Sequence, residues 1–451
     1  MVSRRAYKRV SVNALDQEVL AQIAAREMVA VLGLDIAKNE IVACLRWKSS
    51  GFERPWNIVN PYGIKDLVKL CSTLIDRGLT LSVAMESTGT YGESVRRAFT
   101  LAKISVLRVS GKHVSDYKEV FDGVPSQHDG KDAAMIAELA ALGKGKAWPF
   151  EALPENLEEI NLQVRRMDVF QTEKVQWLGR LEAEVTRYWP ELTRYVKLGG
   201  VSTLRLLSEY GSPALAAMDK ELRSKLTAWG HSKLSEAKID QIIESASSTA
   251  GIPMSSQNVS WVKEISQRAL KSYRDVKQCD QILHELLGKD EFWSRYTSSV
   301  GASTLSVILA TVGDPRAYSS AGAILKALGL NLKERSSGKR IGEKAITKRG
   351  PSLARRWLFF WALRSVQREE LKEWYHRFHS SHFGKADRPA NHRRMKGIIC
   401  MMRKLVRSLW SAVHSEANFE YSKVICSVSK SKRRRSRKAS KRDSSALDLS
   451  H

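Results

Sequence analysis

Cysteine and long apolar runs are both scarce in this chain. Its five cysteines are far apart among 451 residues and form no CxxC pair. This argues against a disulfide framework or a cysteine-ligated zinc site, and it fits a reducing compartment. The longest apolar runs, Met28–Leu34 and Trp357–Leu363, fall well short of the roughly 20 residues that span a bilayer. No apolar run follows the basic N-terminal residues, so no secretory signal is expected. These absences predict a cytoplasmic protein with no membrane partner.

Negative charge is also in deficit. There are 74 Lys and Arg residues against 48 Asp and Glu, which gives a formal net charge of +26 and a sequence pI near 9.9. The hydrophobic fraction of 43% is ordinary for folded proteins, and it excludes disorder as the overall state. A positive field of this size attracts polyanions, so nucleic acid is the leading class of ligand.

Strand-like and helix-like segments alternate from residue 28 to about 145. Two β-rich runs within 28–47 predict a hairpin whose first strand ends with Asp35. The run 79–85 predicts a strand that ends in Glu86, and a helix is predicted over 129–142. This alternation indicates an α/β layer around a central mixed sheet.

Further along the chain the pattern becomes mainly helical. Residues 155–287 favour a helical, coiled-coil-like connector with an insertion, and more helices are predicted between about 292 and 415. The block of like charge at 429–442 predicts a disordered arm. The predicted division has five parts: an N-terminal extension at 1–27, the α/β domain at 28–147, the connector at 148–290, a mainly α-helical domain at 291–420 and a basic tail at 421–451.

Four acidic residues fall at the ends of predicted elements: Asp35, Glu86, Asp129 and Asp132. Any one of them alone is an ordinary surface acid. However, Asp129 and Asp132 lie on one helix face. Each of the other two acids lies at the end of a strand in the same sheet. Carboxylates that converge in this way are the hard oxygen ligands that Mg²⁺ takes in proteins. The four positions therefore predict a Mg²⁺ site.

A second segment has side chains that could take part in a reaction: it contains two serines, a glycine and several cations. It runs from Arg335 through Ser336, Ser337, Gly338 and Lys339 to Arg340, and Lys348 and Arg349 follow shortly after. A serine hydroxyl could attack a phosphodiester, but no base lies beside it in the sequence. From the residues alone, a flexible loop that only contacts phosphate is the simpler interpretation.

Five longer segments carry a family resemblance. GLDIAKNEIVACL, AMESTGTYGESV and HDGKDAAMIAELA resemble, in this order, the N-terminal domain of the DEDD insertion-sequence transposases, whose recombination is guided by a bridge RNA. VGASTLSVILATVGDPRAYSSAGAILKALGL and KERSSGKRIGEKAITKRGPSLARRWLFFWA are similar to the C-terminal transposase domain of that family. The resemblance covers residues 28–145 and about 292–370. Gln127-His128 is a departure, because the family usually has Lys-Thr there.

The resemblance implies a RuvC-like (RNase H-like) fold for 28–147 and a transposase domain with a catalytic serine at 291–420. It implies a tetrad that binds Mg²⁺, formed by Asp35, Glu86, Asp129 and Asp132. It also implies that Ser337, with Ser336 as the alternative, cuts DNA through a covalent 5′-phosphoserine link. The implied partners are donor and target DNA, a guide RNA and further copies of the chain in a dimer or tetramer, at the bacterial nucleoid. The residues expected to contact nucleic acid are Arg335, Lys339, Arg340, Lys348 and Arg349.

Two other functions stay open. A metal-dependent endonuclease of the Holliday-junction type would use the same four acids with water as the nucleophile and no covalent serine. A non-catalytic nucleic-acid-binding protein would use the positive charge alone. The recombinase requires Ser337 and the acids, the nuclease requires only the acids, and the binding protein requires neither.

Overall fold

The computed structural model describes residues 9–12, 15, 17–49, 51–87, 89–122, 128–231, 234–337, 340–381 and 390–425. The chain divides into two compact units, Met1–Leu153 and Pro154–His451. In the described ranges, no helix is both long enough and apolar enough to cross a membrane.

The first unit is built on a mixed sheet. Its strands are β1 (Val10–Ser11), β2 (Val29–Ile36), β3 (Glu40–Trp47), β4 (Trp56–Val59), β5 (Thr80–Glu86), β6 (Ser105–Val109) and β7 (Lys146–Ala147). Its helices are α1 (Gln17–Ala24), α2 (Ile64–Asp76), α3 (Glu93–Leu101), α4 (Gly111–Asp122) and α5 (Asp129–Leu139), and a π-helical turn follows α5 at Ala140–Lys144. The strand order is β1-β4-β3-β2-β5-β6-β7. The central strands β2, β5 and β6 are parallel, whereas β3 runs antiparallel to β2. The predicted α/β layer with a mixed sheet is confirmed.

Side chains of the central strands alternate between the two faces of the sheet, as strand geometry requires. On β2, Leu34 packs into the core that includes α2 and α3, whereas Val31 packs against the core that includes α5. Asp35, four residues after Val31, therefore lies on the α5 side. On β5, Ala84 belongs to the α5 side, and Glu86 two residues later shares that face.

The described N-terminal residues are part of this unit. β1 pairs in parallel with β4 through Val10 and Trp56, and Leu20 and Ile23 of α1 are buried in the core under the sheet. The sequence placed residues 1–27 in an extension outside the α/β domain. That boundary is corrected for the described part, because a helix of eight residues offers too few apolar positions for its periodicity to stand out in the sequence.

The second unit is mostly helical. Its helices are α6 (Glu155–Tyr188), α7 (Leu192–Tyr195), α8 (Val201–Glu209), α9 (Pro213–Met218), α10 (Leu222–Gly230), α11 (Glu236–Ser248), α12 (Ser256–Gly288), α13 (Glu291–Val300), α14 (Ala302–Val312), α15 (Ala321–Ala327), α16 (Ser352–Ser365), α17 (Glu369–Ser381) and α18 (Ala390–His414). A 3-10 turn lies at Pro315–Ala317, and a hairpin is formed by β8 (Leu332–Ser337) and β9 (Arg340–Ile346).

The long helices α6 and α12 form an antiparallel pair with a core at each end. Near one end, Val164 of α6 and Leu283 of α12 share a core with the C-terminal helices. Near the other end, Leu181 and Ile265 share a second core with the insertion α7–α11. Since the start of α6 packs with the end of α12, the two helices run in opposite directions. The helix-favouring sequence of 155–287 indicated this pair. The predicted division of the second unit into a connector and a separate domain between residues 290 and 291 stays a prediction.

The last described residues pack into the C-terminal core. Tyr421 and Val424 are both buried there. The sequence placed the start of a basic tail at residue 421, and these two apolar contacts move that boundary beyond residue 424. The predicted arm at 429–442 lies outside the described residues.

Candidate active site

Asp35 and Glu86 end neighbouring parallel strands. In the register of β2 and β5, Leu34 lies opposite Met85, so the next residue of each strand is an acid at the same edge of the sheet. Both side chains are half-buried. The predicted position of each acid at a strand end is confirmed, except that β2 continues for one residue to Ile36.

Helix α5 brings the other two acids to this edge. Asp129 and Asp132 lie in its first turn, where the positive end of the helix dipole favours carboxylates. The helix can lie directly on β2 because residue 33 is glycine: a Cβ there would come within 2.1 Å of the Ala133 carbonyl oxygen and 2.6 Å of the Ala137 nitrogen. Gly33 therefore permits the close packing that joins the helix acids to the strand acids.

A second glycine makes room for Glu86. Gly111 is the first residue of α4, and a Cβ on it would lie 1.9 Å from Glu86 Oε1. The carboxylate of Glu86 thus rests against the bare backbone at the start of a helix. This contact fixes where the carboxylate of Glu86 can lie.

Two cations pair with the helix acids. Lys118 of α4 donates a hydrogen bond from Nζ to Asp132 Oδ2 over 3.1 Å. Arg9 donates from one guanidinium nitrogen to Asp129 and from another to Glu40 Oε2 over 3.0 Å. Four carboxylates against two cations, one of which is shared with Glu40, leave the cluster negative. We call Asp35, Glu86, Asp129 and Asp132 the acid cluster.

The pKa values of the strand acids reflect this excess of negative charge. Burial, followed by the charges of Asp132, Asp129 and Glu86, raises the pKa of Asp35 to about 6. Burial and then the charge of Asp132 raise the pKa of Glu86 as well, whereas Lys118 opposes the shift. Buried carboxylates that repel one another gain from any further cation placed among them.

The acid cluster has the donor chemistry for Mg²⁺, but it is not a closed ligand set as it stands. Within the described part of the chain, no three Asp, Glu, His or Cys side chains are grouped closely enough to hold a metal ion. One oxygen favours a bound cation. Asp132 Oδ1 is buried and accepts no hydrogen bond from any described residue, although it forms an ion pair with Lys118, whose Nζ is 3.1 Å away. A hard cation fits the oxygen donors provided that the carboxylates draw together and share their charge with it.

The two candidate serines lie in the hairpin of the second unit. They are the last two residues of β8, where the backbone of Ser337 pairs with that of Arg340 at the start of β9. The register shifts between Arg335 and Ser337, so Ser336 of β8 lies opposite two residues of β9, Ile341 and Gly342, and the extra residue is on β9. The loop predicted for 335–340 is wrong for Arg335, Ser337 and Arg340, because they pair in the antiparallel ladder of β8 and β9. Gly338 and Lys339 lie outside the described residues.

Lys348 and Arg349 follow this hairpin in a tight turn. Both side chains are exposed, and Lys348 has a left-handed backbone with φ of 57°. The turn packs on Gly329, where a Cβ would lie 2.8 Å from the backbone of Arg349. The predicted phosphate contacts of both cations stay predictions, and the turn presents their charges to solvent.

Comparisons with known proteins match both halves of the chain. Residues 32–190 match the IS110 family of DEDD transposases, and residues 297–378 match the family described as "Transposase IS116/IS110/IS902 family". Both matches are to IS110-type transposases, and each covers less than half of the chain. It is 26% identical over 263 residues to the "Insertion element IS116 uncharacterized 44.8 kDa protein" of Streptomyces clavuligerus, which covers 57% of this chain and 65% of that protein. It is also 24% identical over 256 residues to the "Insertion element IS110 uncharacterized 43.6 kDa protein" of Streptomyces coelicolor, over 55% of this chain and 63% of that protein. The match spans less than two thirds of either relative.

The first family match begins three residues before Asp35 and contains all four acids of the cluster. Sequence reasoning missed the residues that surround them. Gly33 could have been noticed, since a glycine inside a predicted strand often marks close approach of another backbone. Arg9 and Lys118 gave no signal, because their pairing depends on how the chain folds.

Proposed function

We propose that this protein is a DNA transposase of an insertion element, an enzyme that cuts and exchanges DNA strands. The observation that carries the proposal is the convergence of Asp35, Glu86, Asp129 and Asp132 at one sheet edge, within the segment that matches DEDD transposases. A mixed sheet with helices on both faces supports a RuvC-like fold for this unit. The excess of positive charge supports nucleic acid as the substrate.

The acid cluster is proposed to hold Mg²⁺. When bound, the metal would polarise the scissile phosphate and offset the charge that develops on it. Asp132, whose buried Oδ1 accepts no hydrogen bond from the described residues, and the strand acids Asp35 and Glu86 would supply oxygen ligands. Asp129 would join them once released from Arg9. Gly33 and Gly111 keep these carboxylates in place through the close contacts described above.

Ser337 is the proposed nucleophile, with Ser336 as the alternative. Its Oγ would form a bond to phosphorus while the bond from phosphorus to the 3′ oxygen breaks. The protein then carries a 5′-phosphoserine and the DNA a free 3′-hydroxyl. The proton that leaves the serine passes to a base, for which we propose a carboxylate of the acid cluster, and the 3′ oxygen takes up a proton. The cations proposed to hold the phosphates are Arg335, Lys339, Arg340, Lys348 and Arg349.

The remaining partners are proposed from the family resemblance and the charge. A bridge RNA would select the donor and target DNA, and a dimer or tetramer would supply the acid cluster of one copy to the serine of another. Since the proposed substrate is DNA, the proposed place of action is the nucleoid in the bacterial cytoplasm.

Strand cleavage by acid-cluster variants tests the proposal. Asp35→Ala and Asp129→Ala should each abolish cleavage of element-end DNA in the presence of Mg²⁺, while circular dichroism and nucleic-acid binding stay as in the wild type. Asp66→Ala is the matched control, because Asp66 is an exposed acid of α2 in the same unit and should cleave normally. Retained cleavage in either cluster variant would contradict the assignment.

The nuclease is a second candidate that one observation favours. All four acids lie within the first unit, so the acid cluster forms without any residue of the serine hairpin. A water-using nuclease would therefore still cut DNA after Ser337→Ala, whereas the proposed transposase would not.

A further inference from the structure

A groove in the second unit concentrates positive charge outside the acid cluster and the serine hairpin. One face of α18 and the segment 417–423 line a cavity of about 510 Å³. Its charged lining residues are Arg403, Lys404 and Arg407 on the helix and Glu420 and Lys423 on the segment. We call this cavity the α18 groove.

The helical spacing places the cations in one row. Arg403 and Arg407 are one turn apart, or about 6 Å along the helix axis, and Lys404 lies beside them. Ser408 and Ser411 continue the same face and also line the cavity. The row thus offers three cations followed by hydroxyl donors, which suits a ligand with repeated negative charges.

Among the described residues, the groove has more lining cations than lining carboxylates. Its one lining acid, Glu420, accepts a hydrogen bond from Lys423 Nζ over 2.7 Å. Arg403 donates from Nε to the Leu330 carbonyl over 3.0 Å, and Lys404 Nζ lies 5.2 Å from the ring centre of Trp374. Among the residues that the structure describes, none of the three helix cations forms a salt bridge.

Arg403 and Lys404 are partly out of water and lie close to the exposed Arg407. Burial, and then the charge of Arg407, lowers the pKa of Arg403. Burial also lowers the pKa of Lys404, and Arg407 adds to the effect. Cations that repel one another in a partly desolvated cavity gain free energy when an anion enters.

We propose that the α18 groove binds the phosphodiester backbone of a nucleic acid, as a binding site separate from the acid cluster. A polymer fits better than a single small anion because the cations form a row. The sequence also adds a basic run at 429–442, six residues after Lys423. The site requires neither Mg²⁺ nor a nucleophile, so it goes beyond the proposed function and does not depend on it.

Binding measured without divalent metal tests the groove. The double variant Lys404→Gln/Arg407→Gln removes two of the cations, and Lys289→Gln/Lys326→Gln removes two exposed lysines of the same unit outside the cavity. Both are made in the full chain carrying Asp35→Asn, so that failure of the acid cluster cannot affect the result. Fluorescence anisotropy with EDTA then follows labelled single-stranded RNA and, separately, duplex DNA of equal length between about 50 and 200 mM salt.

The groove variant should bind about tenfold more weakly than the control, and its salt dependence should be flatter. Each lost phosphate contact lowers the slope of log K against log salt by about 0.7 for a single strand and about 0.9 for a duplex. If the change is seen with the labelled RNA, RNA is the source of the phosphates; if it is seen with the duplex, DNA is the source. Equal affinity of both variants in both arms, or weaker binding with an unchanged slope, would overturn the proposal. Since Arg407 is exposed, Arg407→Gln alone provides the same test if the double variant does not fold.

Discussion

Gly33 lies directly against Ala133, with the backbone of α5 where a side chain on β2 would otherwise be. A Cβ on residue 33 would come within 2.1 Å of the Ala133 carbonyl oxygen. Asp35 follows Gly33 on the same face of the strand, and Asp132 directly precedes Ala133 on the helix. The closeness of these two backbones therefore determines how near the strand acids and the helix acids come to each other.

Gly33→Ala should separate the acids without removing any of them. The added methyl group meets rigid backbone, so α5 must move away from the sheet, at a cost of about 1–3 kcal/mol. We expect folded protein with a lower melting temperature and strongly reduced strand cleavage. Gly179→Ala is the control, because nothing lies within 4 Å of that position in α6 and alanine favours the helix. Normal cleavage by Gly33→Ala would show that this contact does not position the acids.

Asp35 should make the metal-free protein less stable as the pH rises. Its folded-state pKa is raised from 3.8 to about 6, so ionisation opposes folding increasingly between about pH 4 and 6 and fully above that range. The shift is equivalent to ~3 kcal/mol at most, and because the side chain is partly open to solvent we expect about 1–2 kcal/mol. In urea unfolding with a chelator, Asp35→Asn should gain stability over the wild type at pH 7.5 but not at pH 4. The same difference at both pH values would contradict the raised pKa.

Arg9 should compete with metal for Asp129. Its guanidinium pairs with both Asp129 and Glu40, so a divalent cation must replace part of this pairing. Arg9→Gln should bind Mn²⁺ about fivefold more tightly in titration calorimetry, the equivalent of ~1 kcal/mol for a partly exposed ion pair. Arg26→Gln is the matched control, since Arg26 pairs with Glu53 outside the acid cluster. Weaker or unchanged Mn²⁺ binding by Arg9→Gln would speak against the competition.

The acids could be predicted from the sequence, whereas their surroundings could not. Asp35 and Glu86 lie at the ends of apolar strands that are followed by turn-forming residues. Asp129 and Asp132 begin a helix with an apolar face, so local patterns were sufficient to predict all four positions. Arg9 pairs with an acid 120 residues away, and only the fold brings them together. The hairpin of β8 and β9 was missed for another reason: its segments LKERSS and RIGEKAI contain few apolar residues, so the alternation that marks a strand is weak.

The most direct test of the proposed function is to trap the reaction with denaturant. Wild-type protein, guide RNA, Mg²⁺ and end-labelled element DNA are mixed, stopped in detergent and separated on a denaturing gel, with Ser337→Ala, Ser336→Ala and Asp35→Ala alongside. We expect a covalent protein–DNA adduct for the wild type, less adduct for Ser336→Ala, and no adduct for Ser337→Ala or Asp35→Ala. Peptide mass spectrometry should then find the phosphate on Ser337. Cleaved DNA with a free 5′-phosphate and no adduct in the wild type would contradict the covalent mechanism and favour the water-using nuclease.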